Sequence, residues 1–457
     1  MIKSIKFLTA IICIMLIGVT WNLFVTADAR LQLEQDIITQ RARNYVIHGI
    51  YSQAITTLLE AIELEDTHNP NLLYELAHIY YSADNFRQYR ATLQVLLDTQ
   101  TLPEEMELAD LYLEIFQHDL LHSSTQDTIF LLRDGWEATD DLRLFELYEA
   151  HRYAFIERRG TFAEASVIFD NAGRVKQGER WGFVNANGNI VMPPRYGIAT
   201  NFMSGNAAVQ RDGVLEIINR MGLRQSIADF SADSIAHFDG SNFAVLIYGN
   251  LQYVQASWRT GDLEISRGET TFDFIGMPSE GIRITQRDGL WGIEDRGGRD
   301  VNISTDHIYE SIAIDMLGRS AVNGRLFVNE NGQYHMIDYA ANHISGPFDE
   351  ARPFFENGGL AAVRRGEQWG LINNQGQVII DFIYDDARSS SFNLAPVQVD
   401  GLWGYISLEN YPEPFRDQFF GRIVIEPQFL DAQQLVNGVG PVLGESGWFY
   451  ISLIEFD

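Results

Sequence analysis

From about residue 161 to the end, short apolar runs alternate with glycine-bearing polar turns, and the stretch from Leu360 to Asp386 shows the unit most fully. It reads Leu360-Ala-Ala-Val363-Arg-Arg-Gly366, then Gln368-Trp369-Gly370-Leu371-Ile372, then Asn373-Asn-Gln-Gly376, then Gln377-Val-Ile-Ile-Asp381. Three apolar runs parted by glycine turns predict strand, turn, strand, turn, strand, because glycine adopts the positive φ that tight hairpins need. In the middle strand Trp369 and Leu371 face one way, and Gly370 and Ile372 the other. Both faces carry apolar atoms, so a lone hairpin is insufficient and each unit must stack on a neighbour. Gly370 leaves space beside the Trp ring for another backbone to come close.

The unit recurs. Its Trp position is filled by Trp181, Leu215, Leu251, Trp291, Tyr334, Trp369, Trp403 and Trp448, spaced 34 to 45 residues apart. A valine lies six residues before most of these, at Val175, Val209, Val245, Val328, Val363, Val397 and Val442. A third strand recurs as Ile190-Val-Met-Pro-Pro194-Arg-Tyr196, Val378-Ile-Ile-Asp-Phe-Ile-Tyr384 and Ile423-Val-Ile-Glu-Pro427-Gln-Phe429. Self-similarity at this period means a solenoid, a propeller or an array. Trp181-Gly182, Trp291-Gly292, Trp369-Gly370 and Trp403-Gly404, with their following strands, resemble the WG (or KWG) repeat family over roughly residues 165–457. Leu215-Glu216, Leu251-Gln252, Tyr334-His335 and Trp448-Phe449 depart from the Trp-Gly pair. The resemblance implies an all-β interaction module and no catalytic residues. Ala165 to Asp170 reads as the late strand of an incomplete unit, and the unit at Trp448 has only its first two strands. Joining these fragments would close a ring and remove free edges. A propeller of seven or eight blades is therefore favoured over an open β-solenoid.

Residues 30–160 carry a helical period, with apolar positions at i, i+3, i+4 and i+7. Tyr51, Ala54, Leu58 and Ala61 recur 35 residues later as Phe86, Tyr89, Leu93 and Leu96, and Ala42 and Tyr45 as Ala77 and Tyr80. Leu76-Ala77 is echoed at Leu108-Ala109 and more loosely at Leu144-Phe145, with Pro70 and Pro103 near helix boundaries. This resembles the tetratricopeptide repeat, implying three or four helix pairs and a groove for a peptide or helix. A helical spacer is the plainer alternative.

Ahead of this, Lys3 and Lys6 precede a 19-residue run, Phe7–Val25, that is apolar apart from Thr9, Thr20 and Asn22. It is long enough to span a bilayer and predicts a signal-anchor over residues 1–29, with the remainder facing outward. Ala27-Asp28-Ala29 offers a cleavage site, and cutting there would release a secreted protein. The expected fold class is thus α+β and multidomain: anchor 1–29, helical repeats 30–160, β repeats 161–457.

Charge sharpens the picture. The formal net charge is −29, and Lys3, Lys6 and Lys176 are the sole lysines. Nucleic acid and anionic lipid surfaces are poor partners for such a chain. Cys13 is the one cysteine, so intrachain disulfides and cysteine-based zinc sites are excluded. No nucleophile elbow, P-loop, HExxH or dinucleotide fingerprint occurs, and Gly438-Val-Gly440-Pro-Val-Leu-Gly444 reads as turn and strand. His118 and His122 share one helix face at metal-ligand spacing, but lack a third ligand in the motif. Asn185–Gly188, Asn329–Gly332 and Asp295–Gly298 have too few carboxylates for calcium and read as hairpin turns. No cofactor or metal is expected.

Aromatics at repeat positions read as core. The interval between Trp403 and Trp448 is the longest, and the excess fits an insertion carrying Tyr411, Phe415, Phe419 and Phe420. Insertions in repeat arrays gather on one face, often the binding face, so this loop is expected to touch a partner. The composite expectation is a membrane-tethered, extracytoplasmic interaction protein, not an enzyme, that binds a protein or peptide. A glycan-binding or glycan-hydrolysing envelope protein is the alternative, and would need two facing carboxylates.

Overall fold

The computed structural model describes residues 32–63, 69–158, 160–227, 231–238, 242–247, 250–257, 262–266, 272–295, 306–316, 318–356, 358–411 and 415–456. The expected membrane segment at 7–25 lies outside these residues. Among the described residues no helix is long and apolar enough to cross a membrane. The chain divides into two compact units, 1–151 and 152–457.

Among the described residues the first unit contains seven helices: α1 (32–47), α2 (Tyr51–Glu63), α3 (Pro70–Ser82), α4 (Phe86–Thr99), α5 (Leu108–His122), α6 (Thr125–Thr139) and α7 (Leu142–His151). Their starts are chemically marked. Asn69, Asn85 and Ser124 accept backbone N–H groups as N-caps, Pro70 opens α3, and Glu107 forms a capping box with Asp110. The small residues of the helical pattern lie where helices meet. Ala42, Ala54 and Ala61 are fully buried against Leu58, Leu72, Leu76 and Ile79. Alanine there permits close helix approach without a cavity.

The second unit is a β-propeller that forms, among the described residues, seven hydrogen-bonded sheets, one of them double. In the double sheet the second and third repeats lie side by side, joined by the parallel pair Asp262↔Ile227. Eight repeat units therefore occupy seven blades. Ring closure uses an unforeseen piece of chain. Phe155–Glu157, inside the stretch read as helical, pairs antiparallel with Gly447–Leu453 and completes the last sheet. Glu164–Ala165 is the first strand of the first full sheet, so the fragment 165–170 is an inner strand and its turn, not a late strand. A three-residue strand is too short to show a period.

All eight repeat positions sit at the same place in their hairpins. The residue after each opposes the inner residue of the preceding strand: Val175↔Gly182, Val209↔Glu216, Val245↔Gln252, Thr285↔Gly292, Val328↔His335, Val363↔Gly370, Val397↔Gly404 and Val442↔Phe449. All eight inner residues, seven valines and Thr285, are fully buried. Apolar cores lie between neighbouring sheets. Phe183 and Tyr196 meet Phe202 and Val209 of the next unit, and Leu371 and Tyr384 meet Val397 and Ile406. Across the closure, Tyr450 and Val439 meet Phe162 and Val175.

The Trp-Gly glycines are sterically required. In the first, sixth and seventh units the outer strand arches over the middle one. Trp181 and Phe183 pair with Tyr196 and Met192, Trp369 and Leu371 with Tyr384 and Ile380, and Trp403 and Tyr405 with Phe429 and Ile425. The arch presses backbone onto the glycine. A Cβ at Gly182 would stand 2.5 Å from Met192 O, at Gly370 2.6 Å from Ile380 O, and at Gly404 2.4 Å from Ile425 O. Trp369 and Trp403 are buried, whereas Trp181, Trp291 and Trp448 are half-buried. A guanidinium covers three of these rings, with Arg174, Arg352 and Arg388 carbons 4.2, 4.3 and 4.9 Å from the Trp181, Trp369 and Trp403 centroids. Arg352 and Arg388 also bridge to Asp386 and Asp431 of the following unit at 2.8 and 2.7 Å.

Gly404→Ala should destabilise the propeller by about 1–3 kcal/mol, because the obstructing atoms are backbone. A lowered urea midpoint of the near-ultraviolet tryptophan signal is the expected result, and an unchanged midpoint would refute the steric account.

Candidate partner-binding site

The most chemically developed surface of the helical unit is a pocket of about 270 Å³ formed by α3, α4 and α5. Glu114 of α5 lies at its base. Its carboxylate accepts the Tyr74 hydroxyl at 2.7 Å and the Tyr89 hydroxyl at 2.7 Å, and faces His78 Nε2 at 3.2 Å. Three helices are thereby tied through one acid. Burial acts to raise the Glu114 pKa, but the bonds from His78, Tyr89 and Tyr74 outweigh it and hold the group below the ordinary carboxylate value. Burial, then the bond to Glu114, pushes both Tyr74 and Tyr89 upward, so each keeps its proton and donates.

A second cluster adjoins the first. Arg90 Nε lies 3.0 and 2.9 Å from the two oxygens of Asp119. His118 Nδ1 is 3.0 Å from Asp119 Oδ1. The Asp119 carboxylate accepts in this contact, so Nδ1 is the donor. His118 Nε2 is buried and meets no hydrogen-bond partner among the described residues. His122 stacks on His118 with centroids 4.5 Å apart, and its Nδ1 lies 2.9 Å from His118 O. The i, i+4 pair thus turns its rings on one another. The walls are aromatic, with Phe86, Tyr81 and Tyr89 around the histidines. At the rim Tyr81 is 51% exposed and Leu121 80% exposed.

This pocket was only coarsely visible in the sequence. His118 and His122 stood out through their spacing, and Tyr89 as a repeat position. Glu114, Tyr74, His78 and Tyr81 did not, because helix packing alone brings α3 beside α5. The repeat echo of Leu76-Ala77 at Leu108-Ala109 was the one available signal.

The propeller carries further pockets on the face bearing the loops after the first and third strands. Between the sixth and seventh units a pocket of about 410 Å³ is lined by Glu356, Leu360, Ile379, Leu408 and Phe420, among others. The insertion expected to touch a partner divides here. Tyr411 is buried, with its hydroxyl 2.8 Å from Ser407 Oγ and 3.3 Å from the Tyr153 hydroxyl. Phe419 is buried in the short helix Arg416–Phe419. Phe415 and Phe420 are half-buried, and Phe420 alone of the four lines the pocket. The turns that mimic calcium loops bind their own backbone. Asn185 Oδ1 accepts from Asn187 N at 3.0 Å and Asn189 N at 2.9 Å, and Asn331 and Gly332 have the paired positive φ of a tight hairpin turn. Part of Asp295–Gly298 lies outside the described residues.

The model of the WG containing repeat family matches residues 181–214 and 369–403. That match does not extend to the helical unit, whose tetratricopeptide character rests on the sequence pattern alone. No curated protein matches the chain. Among solved structures the chain is similar to Hsv2 of Kluyvelomyces marxianus, at 7% identity and a TM-score of 0.34, covering 55% of this chain and 93% of that one. It is similar to Hsv2 of Kluyveromyces lactis at 9% identity and a TM-score of 0.37, covering 57% and 98%. It is also similar to the tricorn protease at 12% identity and a TM-score of 0.35, covering 60% of this chain and 36% of that one. At these values the likenesses carry no functional argument.

Glu114 is depressed in the folded state. Its stabilising contribution is therefore complete above the ordinary carboxylate value of 4.5 and lost as pH falls through the lower folded value. The melting temperature of Glu114→Gln should lie below that of the parent protein at pH 7, with the gap closing below pH 4.5. A gap independent of pH would refute the charged network.

Proposed function

We propose that this is an interaction protein whose helical unit takes a basic segment of a protein partner, with the propeller as a second, rigid docking surface. One observation supports the reading above the others: a buried imidazole nitrogen without a hydrogen-bond partner among the described residues, an ionised carboxylate and exposed aromatic and leucine side chains share a single pocket. An ionised carboxylate selects an N–H donor, and an arginine or lysine head supplies one. The aromatic walls favour the same cation. Tyr81 and Leu121 supply apolar surface for a residue one helical turn away. The surroundings agree in sign, since residues 30–160 hold 23 Asp and Glu against 10 Arg. Acidic fields speed encounter with basic partners.

The address we propose is that read from the sequence, an outward-facing protein tethered through the apolar run at 7–25. The reading is of binding rather than catalysis, because burial and Glu114 hold the two phenols of the pocket protonated and so weakly nucleophilic.

The test is fluorescence anisotropy of the intact protein with arginine-containing amphipathic peptides, against acidic and glycan probes. Basic peptides should bind with salt-sensitive affinity, and Tyr81→Ala with Leu121→Ala should weaken binding roughly tenfold. Equal binding by the variant, or preference for acidic peptides or glycans, would overturn the proposal.

A further inference from the structure

We infer that the fifth unit of the propeller carries a binding site for a divalent transition cation, built from Glu330, His335 and His343. The three residues come from three adjacent strands, Leu326–Glu330, Gln333–Ile337 and His343–Phe348. Register places them on one face. Val328 opposes His335, so Glu330, two residues from Val328, shares the face of His335. Ile337, two residues from His335, opposes His343. One ligand atom from each residue lies within 4.8 Å of the other two. The His343 Nε2 to Glu330 Oε2 separation is 3.2 Å, and the two imidazole centroids are 4.6 Å apart. Zinc bound tetrahedrally at ~2.0–2.1 Å needs ligand atoms about 3.3 Å apart, so small side-chain rotations complete the set.

The backbone here departs from its repeat in the way such a site requires. His335 occupies the position held by Gly182, Gly292, Gly370 and Gly404 elsewhere, where the arched outer strand excludes any side chain in three of the four. In the fifth unit the arch is shorter, with Tyr334 and Met336 pairing with Phe348 and Ser345. The glycine has moved across to Gly346, where a Cβ would stand 3.0 Å from His335 Nδ1. Space for a side chain has thus been opened here, as it has for Glu216 and Phe449 in their units, and in the fifth unit it is filled by a residue able to ligate.

Two imidazoles and one carboxylate suit zinc or its borderline neighbours, and fit magnesium or calcium poorly. His343 and Glu330 are partly exposed, with side-chain exposures of 49% and 34%. A fourth position is therefore open to water or to a donor from a partner.

The test uses the untagged intact protein, with zinc alone in calorimetry and cobalt(II) as a spectroscopic probe. One saturable site with a tetrahedral cobalt spectrum is expected. His343→Ala and Glu330→Gln should each weaken binding by at least about tenfold, the lower end of the loss seen when a supporting residue of a metal site is removed. Both positions are exposed enough for the fold to tolerate the change, which unchanged circular dichroism would verify. His122→Ala, which alters the other histidine pair, should leave affinity and spectrum intact. Absence of saturable binding overturns the site. So does binding that survives His343→Ala but is lost in His122→Ala.

Discussion

In the sharpest units of the propeller, the outer strand's backbone passes so close to the middle strand that the residue after the tryptophan has no room for a Cβ. That contact organises the blade. The arch that makes it, seen at Gly182, Gly370 and Gly404, throws Tyr196, Tyr384 and Phe429 inward at its far end. Those rings fill the layer against the next sheet, where the inner valine of the following unit is fully buried. Tryptophan is a wall of this arrangement, capped by arginines that also reach the acid of the following blade. Isolated surface ion pairs contribute little. Here the arginine also shields a ring, so its apolar stem and flat head add packing to charge.

Acidic residues likewise join one blade to the next. Glu280 accepts the N–H groups of Asn323 and Gly324 at 3.0 Å each, and Glu356 accepts that of Phe392 at 2.7 Å. Asp170 accepts from Gly205 in the same manner. A carboxylate from one unit thus caps the first turn of the following one. Some of the negative charge therefore has a definite place, satisfying backbone donors in turns with positive φ.

The helical unit solves a different problem. Its alanines bring helices close, but a polar cluster, not an apolar one, joins α3, α4 and α5 at the base of the pocket. Glu114 keeps its charge because two phenols and an imidazole replace the water it lost. His118 is satisfied on one nitrogen and bare on the other. A buried polar atom without a partner is costly in the free protein, and such a cost is recovered when a ligand supplies the partner.

The spacing of Trp181, Trp369 and Trp403, with valines six residues ahead, was enough to establish a repeated β hairpin and its register. That is because side-chain alternation and turn chemistry are local properties of the chain. The helical stretch was legible for the same reason, its alanines and leucines recurring at one offset. What the local pattern could not carry was any contact between residues distant in sequence. Phe155–Glu157 closes the ring through pairing with a strand nearly three hundred residues later, and three residues have no period to display. Tyr411 and Phe419 looked like an exposed loop, yet long-range packing turned them inward, leaving Phe420 at a pocket. Glu114 and Glu330 are two acids among 62. Composition makes them ordinary, and only the folded chain sets tyrosines around one and histidines around the other, because a site's chemistry depends on distances that the order of residues leaves open.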